Sequence, residues 1–218
     1  MQTIGINEFR QLNTEGVWVI DTRSSENFCN GFIKRAVSVP FDENFKHVLS
    51  ELIEDGQSLL LIADIEIADA VTETLKTALN YKLLGILCAP KDSWELSSKE
   101  TDLLITIDVE EFAIDYNYDE FFLIDVRDAD QYLEEHLEYA QNIALNDLEQ
   151  TLIDMETSGS YYICAANFRE AVTAGSVFKQ NGFERVRVIQ ADFLEFRNTK
   201  LPFVKKKKEK TNSRFLNN

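Results

Sequence analysis

The chain has 218 residues, 44% hydrophobic and 28% charged, with a net charge of −16. That charge is uneven: residues 205–218 carry five Lys and one Arg against one Glu, which leaves −21 on the rest. So acidic a body is a poor nucleic-acid binder, because affinity for the phosphate backbone comes largely from Lys and Arg displacing counterions. No apolar run reaches the roughly 18 residues of a membrane helix. The N-terminus, Met1-Gln2-Thr3-Ile4-Gly5-Ile6-Asn7, lacks the basic and apolar regions of a signal peptide. The sequence thus predicts a cytoplasmic protein with no membrane and no nucleic-acid partner.

Three cysteines, Cys29, Cys88 and Cys164, are too few and too scattered for a disulfide framework or a metal cluster. A reduced compartment is expected, with no metal and no cofactor.

In chain order, Ile6-Asn7-Glu8-Phe9 reads as a short helix. Val17-Trp18-Val19-Ile20-Asp21-Thr22-Arg23 reads as a strand whose near-continuous hydrophobicity suits cover on both faces. Glu26, Phe28 and Gly31-Phe32-Ile33-Lys34-Arg35-Ala36-Val37-Ser38-Val39-Pro40 follow. A polar, helix-prone stretch leads to the strand Ser58-Leu59-Leu60-Leu61-Ile62, a loop from Ala63 to Ala68, and a helix through Ala70-Val71-Thr72. Gly85-Ile86-Leu87-Cys88 reads as a strand end. A polar run from Glu95 to Asp102, including Ser97-Ser98-Lys99-Glu100, marks a join.

The pattern then returns. Val109-Glu110-Glu111-Phe112 reads as a helix, with Asp108 and Glu111 as a capping pair. Phe121-Phe122-Leu123-Ile124-Asp125-Val126-Arg127 repeats the first strand 104 residues later, and Ala140 follows Ala36 at the same interval. After the strand Ser160-Tyr161-Tyr162-Ile163 comes a helix in which Ala171, Ala174 and Phe178 share one side by three-to-four spacing. Asn181-Gly182 is its expected stop, and Val186-Arg187-Val188-Ile189 a further strand. Strands alternating with helices, twice over, predict an α/β protein of two domains, each a mainly parallel sheet with helices on both faces. The expected division is 1–97, 103–204, and a basic, disordered tail over 205–218.

The two copies differ at one loop. The second reads Cys164-Ala165-Ala166-Asn167-Phe168-Arg169 where the first has Ala63-Asp64-Ile65-Glu66-Ile67-Ala68. Ligands of open α/β sheets bind at the carboxyl ends of strands, where Cys164 falls. A loop wrapping from Cys164 to a helix start near Arg169 turns backbone N–H groups inward, and these with the helix dipole favour a thiolate, the nucleophilic form of cysteine. Arg169 is then the anchor for an anionic substrate. The competing reading makes Cys164 a small apolar residue closing a strand, since free cysteine is among the most buried types.

These landmarks resemble the rhodanese family of sulfurtransferases in both copies: an Asp-x-Arg strand end, an aromatic, a Gly-His-Ile-x-Gly-Ala segment, a Cys-x-x-Gly-x-Arg-Ser/Thr loop and a closing Gly-Gly-Phe-x-x-Trp. The second copy supplies Asp125, Arg127, Tyr132, His136, Ala140, Cys164 and Arg169, closing with Ala191-Asp192-Phe193-Leu194-Glu195-Phe196. The first supplies Asp21, Arg23, Phe28, Gly31, Ala36 and Pro40, closing with Ala89-Pro90-Lys91-Asp92-Ser93-Trp94. The resemblance implies that Cys164 accepts a sulfane sulfur from a small anionic donor such as thiosulfate. As a persulfide it then passes that sulfur to a thiol, cyanide or a protein acceptor. It implies that Ala165, Ala166, Asn167, Phe168 and Arg169 bind the donor, and that the cysteine-less first domain is inactive. In compactness the copies are similar to the tandem rhodanese module that follows a metallo-β-lactamase domain in persulfide-handling proteins. The four residues between Cys164 and Arg169 match the rhodanese loop, whereas related phosphatases have one more.

Four departures stand against this pattern. Asn167 takes the loop glycine, on the expectation that Asn tolerates a left-handed backbone. Glu170 takes a Ser/Thr position, where its carboxylate opposes a thiolate unless it turns to the helix N-terminus. Glu138-Tyr139 replaces small residues, and Ala191-Asp192 replaces a glycine pair, narrowing the approach. His136 reads as structural and His47 has no partner pattern. Asp125 and Arg127 read as folding residues, because Asp21 and Arg23 persist in the copy without the cysteine. The rival to a sulfur carrier is therefore a catalytically degenerate rhodanese-like module that binds or regulates.

Overall fold

The computed structural model describes residues 3–14, 16–78, 80–88, 99–117 and 120–206. The elements of the first lobe are α1 (Ile6–Leu12), β1 (Val17–Asp21), α2 (Ser25–Cys29), β2 (Phe32–Ile33), β3 (Ala36–Ser38), α3 (Phe45–Leu52), β4 (Ser58–Ile62), α4 (Ala68–Ala78) and β5 (Lys82–Leu87). The second lobe begins with β6 (Thr101–Asp102), β7 (Ile105–Ile107), α5 (Val109–Asp115), β8 (Phe122–Asp125), α6 (Ala129–Glu134), β9 (Glu135–Leu137) and β10 (Gln141–Asn142). It continues with a 3-10 turn at Leu145–Asp147, α7 (Leu148–Leu152), β11 (Ser160–Cys164), α8 (Phe168–Gln180), β12 (Arg185–Ile189), a 3-10 helix at Phe193–Asn198 and β13 (Phe203–Lys205).

Two parallel sheets carry the fold, ordered β3-β1-β4-β5 and β10-β8-β11-β12-β7. The orders correspond strand for strand. Even the outer β7 has a counterpart, because Thr3 bridges Ile86 in parallel beside β5. Period-two alternation along β11 divides its side chains. Tyr161 and Ile163 enter a core shared with the first lobe, while Tyr162 and Cys164 enter a second core with Phe112, Ile189 and Phe196.

The shared core is built around α8. Its spacing predicts one apolar side, but every residue from Ala171 to Phe178 is buried. The reason is that α8 lies between lobes, packing on β11 and β12 of its own sheet and on β3 and α2 of the first lobe. Close approach demands small residues. A Cβ on Gly175 would stand 2.6 Å from Val188 Cγ2. Ser176 Oγ accepts a 2.9 Å hydrogen bond from the Ser38 N–H and donates to the Thr173 carbonyl.

Residues 95–98 of the expected join, and the closing segment Ala89–Trp94, lie outside the described residues. The rest of the join is stitched to the first lobe, where β6 pairs antiparallel with β2 and Arg10 Nε donates to Glu100 at 2.7 Å. Of the expected tail, Lys205 and Lys206 are described. Lys205 ends β13, which pairs with β9, and the Lys206 N–H donates to the Glu134 carbonyl. Residues 207–218 lie outside the described residues. The Asp108 cap on α5 and the stop after α8, with Gly182 at φ +87°, form as expected. Among the described residues no helix is long and apolar enough to cross a membrane.

Candidate active site

The strand end of the second sheet is held by a buried ion pair. Arg127 donates Nε and Nη2 to the two Asp125 carboxylate oxygens at 2.9 and 2.6 Å, and Nη2 also to the Glu135 carbonyl at 2.8 Å. In the first lobe Arg23 binds Asp21 in the same fork and reaches the Gly31 carbonyl at 3.1 Å. In both lobes the pair ties a strand end to the segment eight residues beyond the arginine, which supplies the physical reason for a folding role.

Cys164 ends β11 beside this pair, and its carbonyl accepts from the Val126 N–H. The side chain is 1% exposed. Burial pushes the thiol well above the ordinary cysteine range, and the Asp125 carboxylate adds to this. Arg127 and the cysteine's own backbone pull the other way with less effect. The expectation of a loop that lowers the thiol pKa is thereby reversed: desolvation outweighs the donors. The closing segment contributes. Ala191 and Phe193 are buried, the Phe193 N–H donates to the Ala166 carbonyl at 3.1 Å, and the Phe193 ring lies against the Arg127 guanidinium.

The loop itself is short and closed. Ala165 is buried and Ala166 half-buried. Asn167 is extended, with φ −151°, so the left-handed conformation expected of it is not used. It caps α8 instead. Its Oδ1 accepts from the Glu170 N–H at 3.0 Å, and its Nδ2 donates to Glu170 Oε1 at 2.8 Å. Glu170 thus serves the helix start, one of its two expected roles. Phe168, half-buried, packs against the shared core. The left-handed positions fall elsewhere, at Tyr139 (φ +65°) and its counterpart Arg35 (φ +73°). Tyr139 stands where the family pattern has glycine, and it is 78% exposed.

Arg169 lines an inter-lobe cavity but is already paired with a carboxylate. Its Nε lies 3.4 Å from Asp42 Oδ2 of the first lobe, its Nη2 4.0 Å from Glu170, and its Nη1 is buried without an acceptor. That cavity, of about 240 Å³, is walled by Asn44, His47 and Glu51 from the first lobe and by Asp128, Asn167, Arg169 and Glu170 from the second. Burial pushes the Glu51 carboxyl up, with Asp128 and Glu170 adding to the effect and His47 opposing it. Sequence reasoning missed Asp42, Glu51 and Asp128, which carry no local signal of proximity to a loop roughly 40 residues or more away. It also left His47 unpartnered, whereas His47 Nε2 lies 3.3 Å from Glu51 at i,i+4. His136 is structural, with Nδ1 2.7 Å from the Tyr132 carbonyl and its ring stacked on Tyr132.

Among the described residues the first lobe offers no equivalent. Ala63 and Ala68 are buried at the matching loop. Burial pushes Cys29 up to about 12 and raises Cys88 as well. Among the described residues no group of His, Cys, Asp and Glu has the arrangement of a metal site.

Residues 108–199 match the family model described as a rhodanese-like domain. Residues 108–199 of the second lobe form a rhodanese-like domain. Solved structures similar to the chain include the rhodanese-like domain of the Alr3790 protein from Anabaena, at 19% identity and TM-score 0.45, covering 51% of this chain and 89% of that one. Another is protein hp1203 from Helicobacter pylori, at 24% identity and TM-score 0.41, covering 49% and 96%. A search of curated proteins finds no match. The rhodanese-like domain therefore spans α5 to the 3-10 helix at Phe193–Asn198, with Cys164 and Arg169 inside it.

Proposed function

We propose that the chain is a two-lobed rhodanese-like protein that keeps the fold and loop length of the sulfurtransferases while acting as a binding or regulatory module. The observation that carries this reading is the state of Cys164: 1% exposed, beside Asp125, with its thiol pushed well above the ordinary range. A persulfide carrier needs a thiolate that a donor can reach. Arg169, the group expected to hold that donor, is engaged by Asp42. The cavity that Arg169 lines also carries three carboxylates, Glu51, Asp128 and Glu170, which repel an oxyanion such as thiosulfate. The first lobe, with the same strand order and Asp-x-Arg fork, is taken as a second, cysteine-less copy of the domain. Its partner is a protein in a reduced, cytoplasmic setting.

A second reading keeps the chain a sulfurtransferase, moving sulfane sulfur through a Cys164 persulfide to a thiol acceptor. It is favoured by one observation, the cysteine ending β11 with Arg169 in the first turn of α8, four residues intervening.

Mass spectrometry separates the two. After incubation with thiosulfate, and separately with polysulfide, the peptide containing Cys164 should keep its mass. Addition of one sulfur to that peptide, together with thiocyanate formation from cyanide that Cys164→Ser abolishes, establishes the second reading and refutes the first.

A further inference from the structure

The arginine that the loop pattern sets aside for an anionic ligand is already engaged, and from the other lobe. We propose that Asp42 is a built-in occupant of Arg169, an autoinhibitory contact by which the first lobe keeps oxyanions off the loop of the second. The inference deepens the proposed binding-module function and rests on it.

Three features carry it. First, the carboxylate is placed by its own turn. Asp42 Oδ1 accepts from the Asn44 N–H at 2.8 Å and the Asp42 carbonyl from the Phe45 N–H at 3.2 Å. The Phe41 N–H donates to the Thr22 carbonyl, tying that turn to the end of β1. Second, the segment leading to the turn is docked along α8. The Ser38 N–H donates to Ser176 Oγ, and Ser176 lies seven residues after Arg169, two turns on along the same side of the helix. The two contacts, Ser38 with Ser176 and Asp42 with Arg169, fix the first lobe's chain along that side, so the carboxylate's position follows from the packing of the lobes. Third, the chemistry matches. A carboxylate presents to a guanidinium the same charged acceptors as a small oxyanion, and a donor that holds one is not free for the other. The occupancy is partial: one oxygen engages Nε at 3.4 Å, while Nη1, buried, has no acceptor among the described residues. Glu170, the nearer carboxylate in sequence, is drawn toward the Asn167 amide, 4.0 Å from Nη2.

The test uses sulfate, an oxyanion with no sulfane sulfur to transfer, so that Cys164 chemistry cannot contribute. Sulfate binding is measured by titration calorimetry at constant ionic strength for the full chain and for Asp42→Asn, which keeps the acceptor of the Asn44 N–H and removes the charge. Asp42→Asn should bind sulfate at least tenfold more tightly than the unmodified protein, and Asp42→Asn combined with Arg169→Gln should lose that gain. Equal affinity in Asp42→Asn and the unmodified protein, or a gain that survives Arg169→Gln, overturns the proposal. Should Asp42→Asn not fold, phenylglyoxal labelling of the unmodified protein read by peptide mass decides it. Labelling of Arg169 should accelerate as salt screens the ion pair, and a rate indifferent to salt overturns the contact. A persulfide on Cys164 would refute the functional reading and leave the sulfate comparison intact, so the two failures are distinguishable.

Discussion

Alkylation kinetics at the three cysteines probe the closed loop most directly. Even an unperturbed thiol, with a pKa of about 8.5, is only about 3% thiolate at pH 7. Cys164 is pushed well beyond the ordinary range by burial and by Asp125, so its reactive fraction is smaller still. With 1% of the residue exposed, a reagent must also wait for the structure around it to open. The two factors multiply, because alkylation proceeds only through a thiolate in an open state. Cys88, half-buried, needs the smaller opening. Iodoacetamide labelling at pH 7, followed by peptide mass, should therefore modify Cys88 first and Cys164 at least about tenfold more slowly. The Cys164 rate should still be climbing at pH 9. A Cys164 rate equal to that of Cys88 at pH 7, or one that levels off below pH 8, would mean a stabilised thiolate and refute desolvation as the force that governs this loop.

Other perturbations test the frame around the loop. Gly175→Ala gains about 1 kcal/mol of helix preference but forces a methyl against Val188, an overpacking cost of about 1–3 kcal/mol, so a net loss of about 1 kcal/mol is expected in urea unfolding. A more stable variant would show that α8 has room. Asp125→Asn leaves Arg127 buried without its charge partner and should cost about 3–5 kcal/mol, visible as a lowered Tm. An unchanged Tm would show that the fork does not hold the strand end. Glu51, whose carboxyl is raised, binds its proton more tightly folded than unfolded. Its contribution is therefore complete below the unfolded value of about 4.3 and lost as pH rises through the raised folded value. Glu51→Gln should flatten the fall in stability over that window, and an unchanged slope would remove Glu51 as its source.

Much of the frame is legible in the residues. The apolar strands, the repeated Asp-x-Arg and the Asn181-Gly182 stop all encode local geometry, and each takes its expected place. What escapes depends on packing between distant segments. The three-to-four spacing of Ala171, Ala174 and Phe178 reports one buried side, and nothing in it reveals that β3 covers the other. The loop pattern gives Asn167 a glycine's backbone, whereas its side chain finds a better use capping α8. The loop's electrostatics escape for the same reason. Whether a thiol ionises turns on desolvation, and here Cys164 is buried in one core with Ala191 and Phe193, from a segment distant in sequence.

The sandwiched position of α8 bears on how the chain can be taken apart. Excising residues 103–206 would strip the cover from one side of the helix and from Leu104, leaving an apolar stripe facing water where β3 had been. The boundary suggested by the sequence pattern is thus not expected to be a boundary of folding. The chain is expected to melt in a single transition, and a fragment holding Cys164 alone is expected to aggregate, so binding partners are best sought with the whole protein as bait.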